Sequence, residues 1–305
     1  MSMNRAQFKK QLQLGLNAVA GQAYDYESKS DVWRKYMDVE TESEKAYVEE
    51  VMMAGFGAAT TKVEGGGVGY QVTSETYTSR YIFETIAIAF AITEEAEEDG
   101  LYGSIGKKLS RALARSYKHT IATRVANILN NGFSGSYLGG DGVCLFSASH
   151  PLKSGGTASN VLTNAADLSE TSLEDTLIQL DGITDDRGLP IDLEGQALVL
   201  PSALRFTGHR ILNSNGRVET PNNDENAIKE MGMLPKGMVV DKRLTDTDAW
   251  FLTTDCMDGI KFIERKAPVT KIEGDFETGN MRYKVRGRSI QGWSNWRGAI
   301  ATPGG

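Results

Sequence analysis

Between residues 104 and 131, Ile105, Leu109, Leu113, Tyr117, Ile121, Val125 and Leu129 recur at every fourth position. That spacing lays an apolar stripe along one face of an α-helix, and Gly132 is suited to end it. At 1.5 Å per residue the helix is about 40 Å long, so the rest of the fold must offer a surface of that length. Such a helix is long for a globular enzyme and fits a structural spine.

The same segment holds no acidic residue but carries Lys107, Lys108, Arg111, Arg115, Lys118 and Arg124. By helical spacing Lys107, Arg111, Arg115 and Lys118 share a face. One reading is a solvated face; the other is a surface that meets phosphates or the acidic patch of a neighbouring subunit. No aromatic residues interleave there to stack single-stranded bases. The 305 residues include 33 basic and 40 acidic ones, a formal charge of −7. Any contact with nucleic acid is therefore local.

Before this helix, residues 5–20 place Phe8, Leu12, Leu16 and Val19 at helical spacing, a short amphipathic helix set off by a polar stretch. Residues 47–81 are rich in Gly, Thr, Val and Tyr and read as a long hairpin tipped by Gly65, Gly66 and Gly67. Residues 81–92 read as one strand whose second half alternates β-branched or aromatic residues with alanine. The acidic run 94–99 reads as a solvated helix start, since it lacks calcium-loop spacing. After the helix, residues 169–180 and 203–212 are predicted helical. Residues 197–201, 238–240 and 249–252 are predicted strands of a mixed α/β unit. Near the end Tyr283, Val285, Gly287 and Ser289 alternate with Arg282, Lys284, Arg286 and Arg288, the pattern of a half-exposed strand. Glycines clustered at 65–67, 139–140 and 155–156 imply flexible loops.

Residues 141–151 gather Asp141, Cys144, Ser147, Ser149 and His150. A hydrolase using Cys144 or Ser147 with a histidine base is the enzyme reading. It needs nucleophile and base within roughly 2.6–3.2 Å. If residues 143–149 are extended, Cys144 and His150 lie roughly 20 Å apart. Pro151 keeps His150 out of the helix that would bring Ser147 to it. The packing reading has Val143, Leu145 and Phe146 as core and His150-Pro151 as the start of a loop. The glycines at 65–69 lack the terminal glycine of a dinucleotide fingerprint, and Gly106-Lys107-Lys108 lacks the Ser or Thr of a phosphate loop. Two cysteines and three scattered histidines make no metal or disulfide framework and suit a reducing compartment. The most apolar run, 86–92, falls far short of the ~20 residues that cross a bilayer. No catalytic, cofactor or metal residue is assigned.

Several segments occur in a telling order. They are Leu145-Phe146-Ser147 with His150-Pro151 and a Ser/Gly-rich loop to Asn160, then Ala197-Leu198-Val199-Leu200-Pro201 and Ala249-Trp250-Phe251-Leu252. Gly259-Ile260, Pro268-Val269, Asp275 with Thr278, then Tyr283, Val285 and Arg286, and Gly292-Trp293-Ser294-Asn295-Trp296-Arg297-Gly298 complete the series. In this order the chain resembles the major capsid proteins of tailed bacteriophages with the Hong Kong 97-type fold, the Mu-like head subunits among them. The resemblance implies an α+β fold with an N-terminal arm (1–45), an extended hairpin loop (46–80), a peripheral domain with the long spine helix (81–165 and 266–305) and a mixed α/β axial domain (166–265). It implies a shell subunit of an icosahedral virion, not an enzyme, assembled in the host bacterial cytoplasm without cofactors. Its partners would be further copies in hexamers and pentamers, a separate scaffolding protein, a portal, packaged double-stranded DNA held non-specifically, and a decoration protein. The stretch before Tyr47 is too short to resemble members with a long cleaved leader. No lysine and asparagine are assigned to the covalent cross-link that some members form.

Overall fold

In the computed structural model, residues 31–42, 44–93, 102–216, 225–274 and 279–305 are described, and in the long helix side chains are described from Lys108 onward. The amphipathic helix expected at 5–20, the acidic run 94–99 and the pair Asp275 and Thr278 lie outside them. The four-residue spacing forms α1 (Tyr102–Asn130), about 43 Å long at 1.5 Å per residue. Leu113, Tyr117, Ile121, Val125 and Leu129 are all buried on it.

Two four-stranded sheets pack around α1. The first has the order β1 (Asp38–Thr41), β10 (Ile260–Gly274), β11 (Met281–Trp293), β4 (Glu84–Ile92). The alternation read near the chain's end is the burial pattern of β11. Met281, Tyr283, Val285, Gly287 and Ser289 face inward, toward α1, and the even-numbered residues face outward. The second sheet has the order β12 (Ala299–Thr302), β9 (Trp250–Thr254), β7 (Gly195–Leu200), β8 (Met238–Val240). One face of it, through Val199, Phe251 and Ala301, joins the core around α1. The other, through Leu198, Leu200, Trp250, Leu252 and Ile300, packs under α2 (Glu170–Asp181) and α3 (Arg205–Asn213). Burial on both faces is why Ala197-Leu198-Val199-Leu200 is a continuous apolar run. Ser169 caps α2: its hydroxyl accepts from Ser172 N–H at 3.1 Å and Ser172 Oγ accepts from Ser169 N–H at 2.9 Å, a reciprocal cap.

Strand β2 (Tyr47–Ala54) pairs antiparallel with β3 (Ser74–Ile82) from Tyr47↔Ile82 out to Ala54↔Ser74. This is the predicted hairpin, with residues 55–73 beyond the ladder. At its tip Gly66 N–H donates to Val63 C=O at 2.9 Å and Gly65 has φ +77°, the glycine-favouring third position of a type II turn.

Four expectations change. Residues 81–92 are not one strand: β3 ends at Ile82, β4 begins at Glu84, and buried Phe83 packs with Tyr81 and Ile263 where the chain passes from hairpin to sheet. Residues 143–149 bend, with one bridge, Cys144 to Leu138, instead of running extended, and lead into the short antiparallel pair β5 (His150–Pro151) and β6 (Thr157–Ala158). The strand pairing also crosses the expected domain boundaries. β10 runs unbroken through 265–266, and β12, placed by resemblance with the helix, pairs with β9 in the second sheet. Finally, Gly139 serves close packing rather than flexibility, because a Cβ there would lie 1.9 Å from the Trp293 ring. Gly139→Ala is expected to lower stability by about 1–3 kcal/mol through overpacking, measured by urea unfolding; an unchanged midpoint would overturn this account of the contact.

Candidate functional site

The segment that most resembled an active site holds a closed set of partners. His150 Nδ1 lies 2.7 Å from Asp141 Oδ2 and Nε2 lies 3.1 Å from Asn160 Oδ1, while the ring stacks on Trp296 at 4.6 Å. Asp141 and His150 side chains have no exposed area. Both ring nitrogens are thus taken, and neither faces a nucleophile. Cys144 donates its S–H to Phe146 C=O at 3.3 Å, and Ser147 Oγ pairs with Ser149 Oγ. Leu145 and Phe146 are core, as expected; Val143 is only partly buried. The organiser is Asn160. Its Nδ2 lies 2.7–3.1 Å from the carbonyls of Leu145, Trp296 and Ala299, and its Oδ1 accepts from Ser147 N–H at 2.9 Å. Sequence reading placed Asn160 only as the end of a loop, since its partners lie up to 139 positions away.

The basic face of α1 divides. Arg111 and Arg115 are exposed; Lys118 is buried, with Nζ 3.3 Å from Asp31 Oδ2. Lys118 therefore does not share an open face with the others, because the turn at Val32–Lys35 and the residue before it cross the helix at that level. From there on Ala122 and Ala126 are buried too, so the helix enters the core. The side chain of Lys107 lies outside the described residues. Arg124 pairs with Glu84.

The hairpin exposes Val51, Met53, Phe56, Val68 and Tyr70, the last almost fully. Gln71 braces its loop, accepting from Gly57 N–H at 2.7 Å and donating to Ala58 C=O at 3.2 Å. At the hairpin root, Lys261 on β10 is buried, and its Nζ lies 3.0 Å from Glu40, 2.6 Å from Glu50 and 2.9 Å from Asp258. Glu50 also accepts from Ser294, which pairs with Tyr81. Burial pulls the Lys261 pKa down, but hydrogen bonds to Glu50, Asp258 and Glu40 outweigh it and hold the ammonium well above the usual lysine range. Among the described residues this is the one carboxylate trio close enough to hold a metal ion. The ammonium already occupies its centre. Burial pushes the Cys256 thiol up to about 11, which leaves it a poor nucleophile. None of these groups forms a catalytic arrangement.

A model of the family described as phage capsid protein matches residues 76–302. The chain belongs to the phage capsid protein family. This capsid protein is also similar in fold to solved structures. One is from Mycobacterium phage Patience, with TM-score 0.56, 11% identity, and coverage of 94% of this chain and 86% of that one. A virus-like particle from Pyrococcus furiosus gives 0.52, 12%, 94% and 97%. The capsid of bacteriophage JBD30 decorated with minor capsid protein trimers gives 0.52, 13%, 69% and 90%. A search of the curated proteins returns no match. The capsid protein thus has the α+β Hong Kong 97-type fold expected from its motif order, and its place is the virion shell. The hydrolase alternative finds no support. Among the described residues, no helix is long and apolar enough to cross a membrane.

Proposed function

We propose that this major capsid protein builds the icosahedral head around the packaged double-stranded DNA of a tailed phage or prophage, assembling in the host cytoplasm. The observation that carries the reading is the β2–β3 hairpin, whose apolar side chains stand in solvent beyond a polar root. Exposed apolar patches of this kind mark protein–protein contact. In the proposed shell the hairpin lies across a neighbouring copy, α1 with the first sheet forms the peripheral domain, and the second sheet with α2 and α3 forms the axial domain around pentamers and hexamers. A separate scaffolding protein and a portal complete the assembly, and the decorated JBD30 capsid supports a decoration protein as a further partner. Contacts that are individually modest suffice because many act together.

Electron microscopy of the purified protein is the test. Closed shells or capsomer rings are expected; uniformly small particles would count decisively against the proposal. The exposed part of α1 supplies a second measurement. Charge reversal of Lys107, Arg111 and Arg115 to Glu is expected to impair assembly or DNA packaging while far-UV circular dichroism stays unchanged. Normal particle and genome yield would remove α1 from the contact surface.

A further inference from the structure

Among the described residues the outward face of the first sheet is covered at one end only. There the hairpin root packs on it through Val48, Tyr81, Phe83, Ile263 and Ile290. Toward the other end the central strand β11 presents Arg282, Lys284, Arg286 and Arg288 at alternate positions. On one side their cross-strand partners are Glu273, Lys271, Val269 and Lys266 of β10. On the other side they are Ala91, Ala89, Ala87 and Thr85 of β4. Among the described residues this half therefore sets the cations of β11 together with Lys266 and Lys271 beside one carboxylate, Glu273, which pairs with Lys284 at 3.6 Å. The alanines form an exposed shelf beside the cations, and among the described residues no strand pairs with the far edge of β4.

The opposite edge of the same sheet has the complementary charge. Strand β1 carries Asp38 and Glu40, and the alternation continues in sequence through Glu42 and Glu44. Cross-strand registry puts Glu40 level with Ile263 and Ile263 level with Ile290. Asp38 and Glu40 thus share the outward face with the even-numbered cations of β11. All residues of β1 are exposed. Strand β1 runs parallel to β10, and β4, two antiparallel steps away, runs parallel to both. A copy presenting its β1 to the β4 edge of the next would continue the sheet with unchanged polarity. The added strand would lie about 9.5 Å from β11, two strand spacings. Long Arg and Lys side chains can meet carboxylate side chains over that gap, because only Ala91, Ala89, Ala87 and Thr85 stand between. Within β1 the two-residue repeat of a strand sets Asp38 and Glu40 toward that row of cations.

We infer that the acidic edge strand of one subunit docks on the cationic, alanine-shelved edge of the next, joining first sheets head to tail. The inference rests on the proposed shell-forming role and names the edge by which copies meet. A protein of net charge −7 that concentrates these cations on one face is self-complementary: its basic face is matched by acidic surface elsewhere on an identical copy. A contact between two different patches builds rings when the rotation closes, and like charges set side by side would disfavour other registers.

Charge exchange tests it. Glu40 also holds Lys261, so Glu42 and Glu44 are the acidic pair to change. Lys284→Glu with Arg286→Glu is expected to cut ring or shell formation at least tenfold by sedimentation and electron microscopy. Glu42→Lys with Glu44→Lys is expected to do the same, and the fourfold variant should recover most of the wild-type yield. Thermal unfolding of each variant checks the fold; if a reversal does not fold, Lys284→Gln with Arg286→Gln against Glu42→Gln with Glu44→Gln is read for equal, non-additive losses. A fourfold variant no better than either double, or a cation double that assembles normally, overturns the inference. So do particles that form normally from the cation double but retain less nucleic acid, which would assign this face to phosphates. Absence of rings in the wild type would instead overturn the shell-forming role itself.

Discussion

Asn160→Ala is expected to destabilise the subunit by about 4 kcal/mol, a large fraction of the 5–15 kcal/mol typical of folded domains. The residue has no exposed area. Its amide gathers the carbonyls of Leu145, Trp296 and Ala299 and receives Ser147 N–H and the His150 ring. Removing it leaves several buried polar groups without partners, each costing about 1–3 kcal/mol, partly relieved by local shifts. Asn160→Asp tells hydrogen bonding from packing. It keeps the shape but turns a carboxylate oxygen toward three carbonyls, so it should be at least as damaging. Urea unfolding of the three proteins measures this; a loss below about 1 kcal/mol for the alanine variant would show that the carbonyls find other partners.

Lys261→Met is expected to cost about 3 kcal/mol and to loosen the hairpin before the rest of the molecule. Breaking a buried ion pair by deleting one partner typically costs 3–5 kcal/mol. The lower end applies because the Glu40 and Asp258 side chains are each 49% exposed and can turn to water. Its pH dependence has a definite sign. The pKa of Lys261 is raised in the folded subunit, so the stabilisation is complete below the unfolded lysine value of about 10.4. It fades only as pH climbs through the folded value. Wild type and Lys261→Met should therefore differ by a constant amount from pH 7 to 9 and converge only in strong alkali. Amide exchange should rise first in β2 and β3 of the variant. Equal exchange in both proteins would mean that Lys261 does not anchor the hairpin.

What was legible in the sequence is what repeats over a few residues. The four-residue spacing gave α1, the alternation from Arg282 to Ser289 gave the two faces of β11, and the apolar run from Ala197 gave a strand buried on both sides. The alanines of β4 were visible as a pattern, but their partners were not, since registry with Arg282, Lys284 and Arg286 joins residues nearly 200 positions apart. The same distance hid Asn160, Lys261 and the parallel pairing of β1 with β10. Strand β10 was obscured by its two register shifts between Glu264 and Val269, which break the two-residue period. Lys118 was misplaced because helical angle alone says nothing of a turn elsewhere in the chain that covers one level of the face.

The position of β12 bears on how the subunit is made. Ala299, Ile300, Ala301 and Thr302 are all buried, and they complete a sheet whose other strands begin about a hundred residues earlier, at Gly195. A nascent chain holds β9 with one apolar edge open until residue 302 has emerged. Prematurely terminated chains that stop before residue 299 are expected to go to proteolysis or aggregation, the usual fate of unpaired strand edges.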